Sequence, residues 1–331
     1  MIRWGIVGTG SIANNMAPVI TAVPSAELAA VSSRRMASAS AFAADHGIGE
    51  AFDSWAEMTA WDGVDAIYVA TPTDVREEIC IAAAERGKHV LGEKPFASLP
   101  SLQRIVAACR ENDVGFMDGT HFSHHPRTAA IRTAMSDAVG WPWSLTSALQ
   151  IGLFDRDNVR YNPDLEPMGA IGDVGWYNMR AIVEYRPPDL GLRAVRSCLR
   201  RDPEARAAVG GSGVIQFDDG STSTWNCGFD SGAVVSNLRL SGANGVITLD
   251  DFLRNDADGS AVYIRHRGGS GMMKADTVRV ASDYTSPELM FEDFAVMTVD
   301  EGLRERSIAD SVRTQSLLDA VWESALENER Q

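Results

Sequence analysis

Lys94, in the stretch HVLGEKPFA, and Asp173 with Tyr177, in MGAIGDVGWYNMRAI, are side chains suited to moving a proton beside a reacting carbon. A lysine ammonium set against a substrate oxygen donates a hydrogen bond to a carbonyl, or lowers the pKa of a hydroxyl about to lose hydride. Asp173 and Tyr177 are four residues apart, so a single helix puts them on one face. Gly169, Gly172 and Gly175 are costly inside such a helix unless something must come close to it. The ordinary alternatives are a solvated lysine, an ion-paired aspartate and a core tyrosine.

A third stretch, RWGIVGTGSIA at residues 3–13, follows the apolar residues Ile2, Trp4, Ile6 and Val7, which read as a buried parallel strand. After such a strand, Gly8 allows a tight turn, Gly10 lets phosphates approach the backbone, and Ala13 lets the next helix pack closely. Thr9, Ser11 and Ile12 complete a turn whose N–H groups and helix N-terminus suit a pyrophosphate. The same turn also serves methyltransferases and flavin proteins. Pro18 predicts a kinked or short first helix.

The second strand ends in AAVSSRR, with no carboxylate for a ribose about 20 residues past the turn. Ser33, Arg34 and Arg35 stand there instead, suited to a 2′-phosphate through charge-assisted hydrogen bonds. NADP(H) is therefore the expected cofactor and NAD(H) the weaker alternative; otherwise the two arginines are surface charge. In VATPTD, Thr71 and Thr73 would line the cofactor at a strand's carboxyl edge, with Pro72 fixing the loop. A plain proline turn opening a helix at Asp74 is the competing reading.

Two kinds of element must position these residues. Up to residue 120 the pattern alternates strand and helix: strands at 2–7, 27–32, 66–70, 89–91 and 115–117, with helices at 36–46, 74–86 and 100–112. That is a doubly wound parallel sheet. From about Trp141 longer strands follow, separated by turns such as Asp218-Asp219-Gly220 and Ala243-Asn244-Gly245-Val246. One helix, at 170–184, precedes them and two, near 287–303 and 309–328, close the chain, giving an α+β second domain. Residues 268–271, GGSG, read as a surface loop.

A chain of 331 residues, 45% hydrophobic and 23% charged, is globular with room for two domains. Its formal net charge of -15 speaks against nucleic acid or anionic membrane as partner. Cys80, Cys109, Cys198 and Cys227 lie far apart and read as buried free thiols. His121, His124 and His125 lack the carboxylate or Cys cluster of a metal site, so no metal is expected and they read as pocket or surface histidines. With a strand from residue 2 and no apolar run of about 18 residues, the expected location is the cytoplasm.

In order, the GxGxxA turn, the Ser-Arg after the second strand, the TPT loop, Glu93-Lys94-Pro95 and the G-A-x-x-D-x-G-x-Y helix resemble the Gfo/Idh/MocA family of NAD(P)-dependent oxidoreductases over essentially the whole chain. MDGTHFSHHPRT with GAIGDVGWYNMRAI is most similar to a little-characterised, plant-type branch. The resemblance implies an NAD(P)-binding Rossmann domain at 1–120. It implies a substrate and oligomerisation domain at 121–331, with an open, predominantly antiparallel β-sheet and C-terminal helices. A homo-oligomer, expected as a dimer, follows from it. So do the roles of Lys94 as catalytic lysine, Tyr177 as acid/base and Asp173 as substrate-side carboxylate. Gly8, Gly10, Ile12, Ser33, Arg34, Thr71 and Glu93 are implied around the cofactor, with a cis peptide before Pro95.

The implied reaction is hydride transfer between nicotinamide and a carbonyl or secondary alcohol of a small carbohydrate-like substrate: a sugar, cyclic polyol or related hydroxy-ketone. No Tyr is followed four residues later by Lys, and no Cys cluster is present, which disfavours short-chain and zinc alcohol dehydrogenases. A non-catalytic NAD(P)-binding regulator and a redox-neutral lyase or glycosidase that retains its nicotinamide are the rival readings. Where sugar-acting members carry Gly-Gly and an RF.P stretch, this chain has Met168-Gly169 and HFSHHP, and Arg76 stands where relatives often place His. Substrate specificity therefore does not transfer.

Overall fold

The computed structural model describes residues 1–268 and 274–330; beyond Gly268, the GGSG stretch lies outside the described residues. The chain divides into two compact units, one of Met1–Thr120 with Pro287–Val312 and one of His121–Ser286 with the residues from Arg313 on.

In the first unit, β1 (Ile2–Val7), β2 (Ala26–Ser32), β3 (Glu50–Phe52), β4 (Ala66–Val69), β5 (His89–Gly92) and β6 (Phe116–Asp118) form one sheet in the order β3-β2-β1-β4-β5-β6. Every pairing is parallel. Strand order reverses between β1 and β4, so the crevice for a ligand opens at their carboxyl ends. β4 is buried at every residue, as a strand covered on both faces must be. The connecting helices are α1 (Ser11–Ala22), α2 (Met36–His46), α3 (Trp55–Ala60), α4 (Thr73–Glu85) and α5 (Leu99–Glu111). α1 is not shortened by Pro18: it runs for twelve residues with the proline inside it. Strand β3 and helix α3 gave no signal in the sequence, because a three-residue, partly exposed edge strand has no apolar run to show. The chain's later helix α9 (Ser286–Met297) also packs here: Phe291 meets Trp4 edge to face and Phe294 meets it tilted, with ring centroids 5.1 and 4.6 Å away. Aromatic burial of this kind is what draws Pro287–Val312 into the first unit.

The second unit is built on β7 (Pro142–Gly152), β8 (Leu192–Arg201), β9 (Ala208–Phe217), β10 (Thr222–Gly228), β11 (Asp230–Gly242), β12 (Gly245–Leu249), β13 (Ala261–Arg267) and β14 (Lys274–Val280). They form an open sheet in the order β14-β13-β12-β11-β7-β10-β9-β8, antiparallel except for the β7–β10 pair. Both expected hairpin turns are present, joining β9 to β10 and β11 to β12. β8 was not anticipated, since its four arginines hide any apolar alternation. Leu145, Leu149, Ile215, Trp225, Leu238 and Leu240 bury one face of the sheet. The row Val214, Thr224, Thr146 and Arg239, paired across β9, β10, β7 and β11, is exposed on the other. Helices α6 (Pro126–Ala134), α7 (Gly169–Asp173) and α8 (Gly175–Tyr185) belong to this unit, α8 lying on β7 and β10. The expected single helix at 170–184 is therefore two, broken at Val174. α10 (Glu301–Glu329) is longer than its expected start at 309 and gives its residues up to Val312 to the first unit.

Candidate active site

The loops at the carboxyl edge of the first unit's sheet carry the expected cofactor residues. Gly8 has φ of +111°, and a Cβ there would stand 2.5 Å from the Ala70 carbonyl oxygen, so only glycine fits between β1 and β4. Gly10 is different: its backbone is extended, and a Cβ would meet nothing within 4 Å. It starts α1, whose first turn has no side-chain cap and no acidic residue. Uncapped N–H groups beside open space are what a pyrophosphate requires. Ala13 behind them is fully buried.

Thr9 and Ser33 lie 3.3 Å apart through their hydroxyls, which ties the loop after β1 to the loop after β2. Arg34 and Arg35 follow, exposed, with Arg35 at the start of α2 and no side-chain cap on that helix either. After β4, Thr73 is buried in the first turn of α4, and the buried Thr71 Oγ1 has no hydrogen-bond partner. An orphaned hydroxyl beside the glycine turn, a cradle free of any Cβ and an uncapped helix N-terminus together fit a dinucleotide.

Beyond β5, Glu93 is buried, and its Oε1 accepts a hydrogen bond from Tyr68 Oη at 2.6 Å. Burial pushes the Glu93 carboxyl up from its ordinary value, while the Lys94 charge, the Tyr68 hydroxyl and Arg76 draw it down. The Lys94 N–H donates to Glu93 Oε2 at 3.3 Å, and the Lys94–Pro95 peptide is cis. Gly119 leaves the room this carboxylate occupies, since a Cβ there would lie 2.7 Å from Oε1.

In the second unit, Asp173 closes α7 and Tyr177 lies in the first turn of α8, so the two do not share one continuous helix. Arg160 Nε donates to Asp173 Oδ2 at 2.6 Å. The half-buried Tyr177 ring packs against His121 at 5.8 Å and Phe122 at 6.3 Å between centroids. Two glycines of this segment serve the sheet: Gly169, at φ of +47°, would drive a Cβ to 2.3 Å from the Ala208 carbonyl oxygen, and a Cβ at Gly175 would lie 3.3 Å from Cys227 Sγ. Arg160 was not picked out from the sequence, since nothing in a short 3-10 turn 13 residues before Asp173 announces an ion pair.

The three histidines separate. His125 is buried and structural: Nε2–H donates to the Gly259 carbonyl at 2.7 Å, while Nδ1 accepts from the Arg127 N–H at 3.0 Å and caps α6. His121 and His124 are half-buried in the short 3-10 turn before α6. No group of three or more His, Cys, Asp or Glu side chains among the described residues is arranged to hold a metal ion. The four cysteines are free thiols; Cys80, Cys109 and Cys227 are buried, and burial pushes Cys109 and Cys227 to about 12, whereas Cys198 is exposed, contrary to expectation. None of the helices among the described residues is long and apolar enough to cross a membrane.

This combination, a dinucleotide-type edge on a doubly wound sheet plus an open sheet unit, defines a two-unit protein of the Rossmann class. Residues 2–120 match the profile of the oxidoreductase family with an NAD-binding Rossmann fold, Gfo/Idh/MocA. The chain is 30% identical over 324 residues to the dTDP-3,4-didehydro-2,6-dideoxy-alpha-D-glucose 3-reductase of Actinomadura kijaniata, covering 97% of this chain and 94% of that one. It is 32% identical over 235 residues, 70% of each chain, to D-xylose 1-dehydrogenase (NADP(+)) 2 of Haloferax volcanii. Among solved structures, a 3-ketoreductase from Actinomadura kijaniata in complex with NADP and TDP-benzene superposes with a TM-score of 0.88 at 26% identity, over 98% of this chain and 97% of that one. The chain belongs to the Gfo/Idh/MocA family. These relatives lend no support to the plant-type branch.

Proposed function

We propose that this protein is an NADP(H)-dependent oxidoreductase that transfers hydride between nicotinamide and a carbonyl or secondary alcohol of a sugar, cyclic polyol or related hydroxy-ketone. The observation that carries the reading is its similarity, over nearly the whole length of both chains, to a 3-ketoreductase with NADP bound. Gly8, Thr9, Gly10, Ser11 and Ile12 would hold the pyrophosphate at α1. Ser33 and Arg34, with Arg35 beside them, would take the 2′-phosphate. Thr71, Pro72, Thr73 and Glu93 would line the rest of the cofactor.

The nicotinamide, when bound, supplies or accepts the hydride, and the protein supplies placement and proton control. Lys94 polarises the substrate oxygen where negative charge develops, and Tyr177 delivers the proton in the reductive direction. Asp173, ion-paired with Arg160, orients a neighbouring hydroxyl. The cofactor role belongs to residues 1–120 and the substrate and oligomerisation roles to 121–331. Cytoplasmic location and a homodimer complete the proposal; the exposed face of the open sheet, which includes Val214 and Val262, each 37% exposed, is the pairing surface.

Fluorescence titration with NADPH and NADH tests the cofactor, and NADPH consumption with ketose, D-xylose and inositol panels tests the reaction. NADPH is expected to bind at least about tenfold tighter than NADH, because a charge-assisted contact to the 2′-phosphate contributes roughly 1.5–3 kcal/mol. Arg34→Ala should erase most of that gap. Equal wild-type affinities would remove the NADP assignment, and tight binding with no net NADPH consumption on any panel would favour a regulator or a redox-neutral enzyme.

A further inference from the structure

Arg76 lies in the first turns of α4 and is 3% exposed, although neighbouring Asp74 and Glu78 on the same helix face solvent. A guanidinium leaves water only where its donors find acceptors. Here Nη2 donates to the Thr71 carbonyl oxygen, and Nη1 donates to the Pro95 carbonyl oxygen and, at 3.3 Å, to Thr73 Oγ1, while the buried Nε has no hydrogen-bond partner, so the two terminal nitrogens carry the contacts. The acceptors are thus two backbone carbonyls, which belong to two different loops, and one hydroxyl from the first turn of α4 itself. Thr71 and Thr73 leave the carboxyl end of β4, whereas Pro95 follows Lys94 beyond the end of β5.

Lys94 therefore sits between two anchors. On one side the Glu93 N–H donates to the Val69 carbonyl oxygen at 3.1 Å, and the Glu93 carboxylate accepts from Tyr68 at 2.6 Å. On the other side the Pro95 carbonyl is held by Arg76. The lysine's own four-carbon stem is flexible, so the precision of its ammonium depends on where its backbone is fixed.

We infer that Arg76 is a positioning residue for the proposed reaction: its planar fork fastens the Thr71 loop to the Lys94–Pro95 segment and acts through both rather than on the substrate. The inference rests on the reading of Lys94 as the catalytic lysine. A lysine at position 76 keeps the charge but loses the fork that serves two carbonyls at once.

Arg76→Lys and Arg76→Gln, each made in the wild-type and the Lys94→Met backgrounds and checked for folding by thermal melting, provide the test. In the wild-type background kcat at saturating NADPH and substrate should fall by about tenfold or more, and NADPH affinity by a similar factor, the scale of a small misplacement. In Lys94→Met the residual kcat should fall by less than about twofold, because the residues act as a unit. Wild-type kcat and affinity in folded Arg76→Lys overturns the inference. So does an equal fold-loss of kcat in both backgrounds, which marks a purely structural role. If Arg76→Lys does not fold, Arg76→Gln is judged by the same criteria, and failure of both to fold overturns the inference. Wild-type turnover in Lys94→Met alone defeats the reading of Lys94; Arg76 is then decided by NADPH affinity, where a loss of about tenfold upholds its hold on the Thr71 loop and no change overturns it.

Discussion

The carboxyl edge of the first unit's sheet and the α7–α8 segment of the second carry the two halves of the proposed chemistry by different means. In the first unit each residue rides on a loop that leaves a strand end: Gly8 after β1, Ser33 after β2, Thr71 after β4 and Lys94 after β5. Parallel strands all point the same way, so being just past a strand is enough to reach that edge. In the second unit, Asp173 and Tyr177 flank a helix break, and their partners come from elsewhere: Arg160 from the turn before α7 and His121 from the turn before α6. Strand ends are positions legible in one dimension. Ion pairs and ring contacts between distant segments are not.

The largest expected effect tests whether the two regions serve one reaction. Lys94→Met and Tyr177→Phe should each lower turnover by about two orders of magnitude or more, the usual scale for a positioned acid or charge-stabilising donor. Their combined loss should be less than additive if both groups act on one oxygen. Fully additive losses would separate the regions, and retained turnover in both folded variants, at saturating NADPH, would reject the mechanism.

A second pair of variants sharpens the contrast inside the first unit, where two glycines two residues apart have different reasons to be there. Gly8→Ala meets both a left-handed backbone and the Ala70 carbonyl, so it should destabilise the fold by roughly 1–3 kcal/mol. Gly10→Ala meets no protein atom within 4 Å and should melt within about 0.5 kcal/mol of wild type. NADPH affinity should nonetheless fall by about tenfold or more in Gly10→Ala, since the added methyl stands in the phosphate's approach. Unchanged affinity in that variant would move the pyrophosphate away from the turn.

The smallest effect concerns one histidine in each unit. His89 Nδ1 accepts the Gly115 N–H at 2.8 Å, as His125 Nδ1 accepts that of Arg127, so both rings must be neutral at that nitrogen. Burial first, then Arg304 for His89 and Arg127 for His125, holds each pKa below the ordinary 6.5. The unfolded chain binds these protons more readily than the folded one, so their contribution to stability is complete above about 6.5 and is lost as pH falls through the depressed folded values. Melting temperature should drop on acidification from about pH 7 to 5, by about 2–4 °C for each kcal/mol lost. His89→Asn and His125→Asn should each flatten that slope; an unchanged slope in both would assign it to other groups.

The alternation of strand and helix up to residue 120 could be read because each parallel strand is a short run of apolar residues and each crossover a helix-length segment. Gly8, Ser33, Thr71 and Lys94 could be placed for the same reason. The β11–β12 hairpin declared itself through Asn244-Gly245, whereas β3 is too short and β8 too arginine-rich to show a period. Asp173 and Tyr177 could be singled out by type and spacing, but the break at Val174 that separates their helices could not, because Gly169 and Gly175 answer to the packing of the segment on the sheet.

By itself the sequence determined the doubly wound sheet, the kind of residue at each strand end and the placement of Asp173 and Tyr177 in a glycine-rich helical segment, since these depend on local period and turn chemistry. Only the tertiary structure decided that Phe291 and Phe294 pack on Trp4, that Arg160 holds Asp173, that His125 is a helix cap, and that Arg76 joins two loops. Each of these is a contact between separate segments of the chain or, for His125 and Arg76, a choice of buried hydrogen-bond acceptor, and neither leaves a periodic trace in the order of the residues.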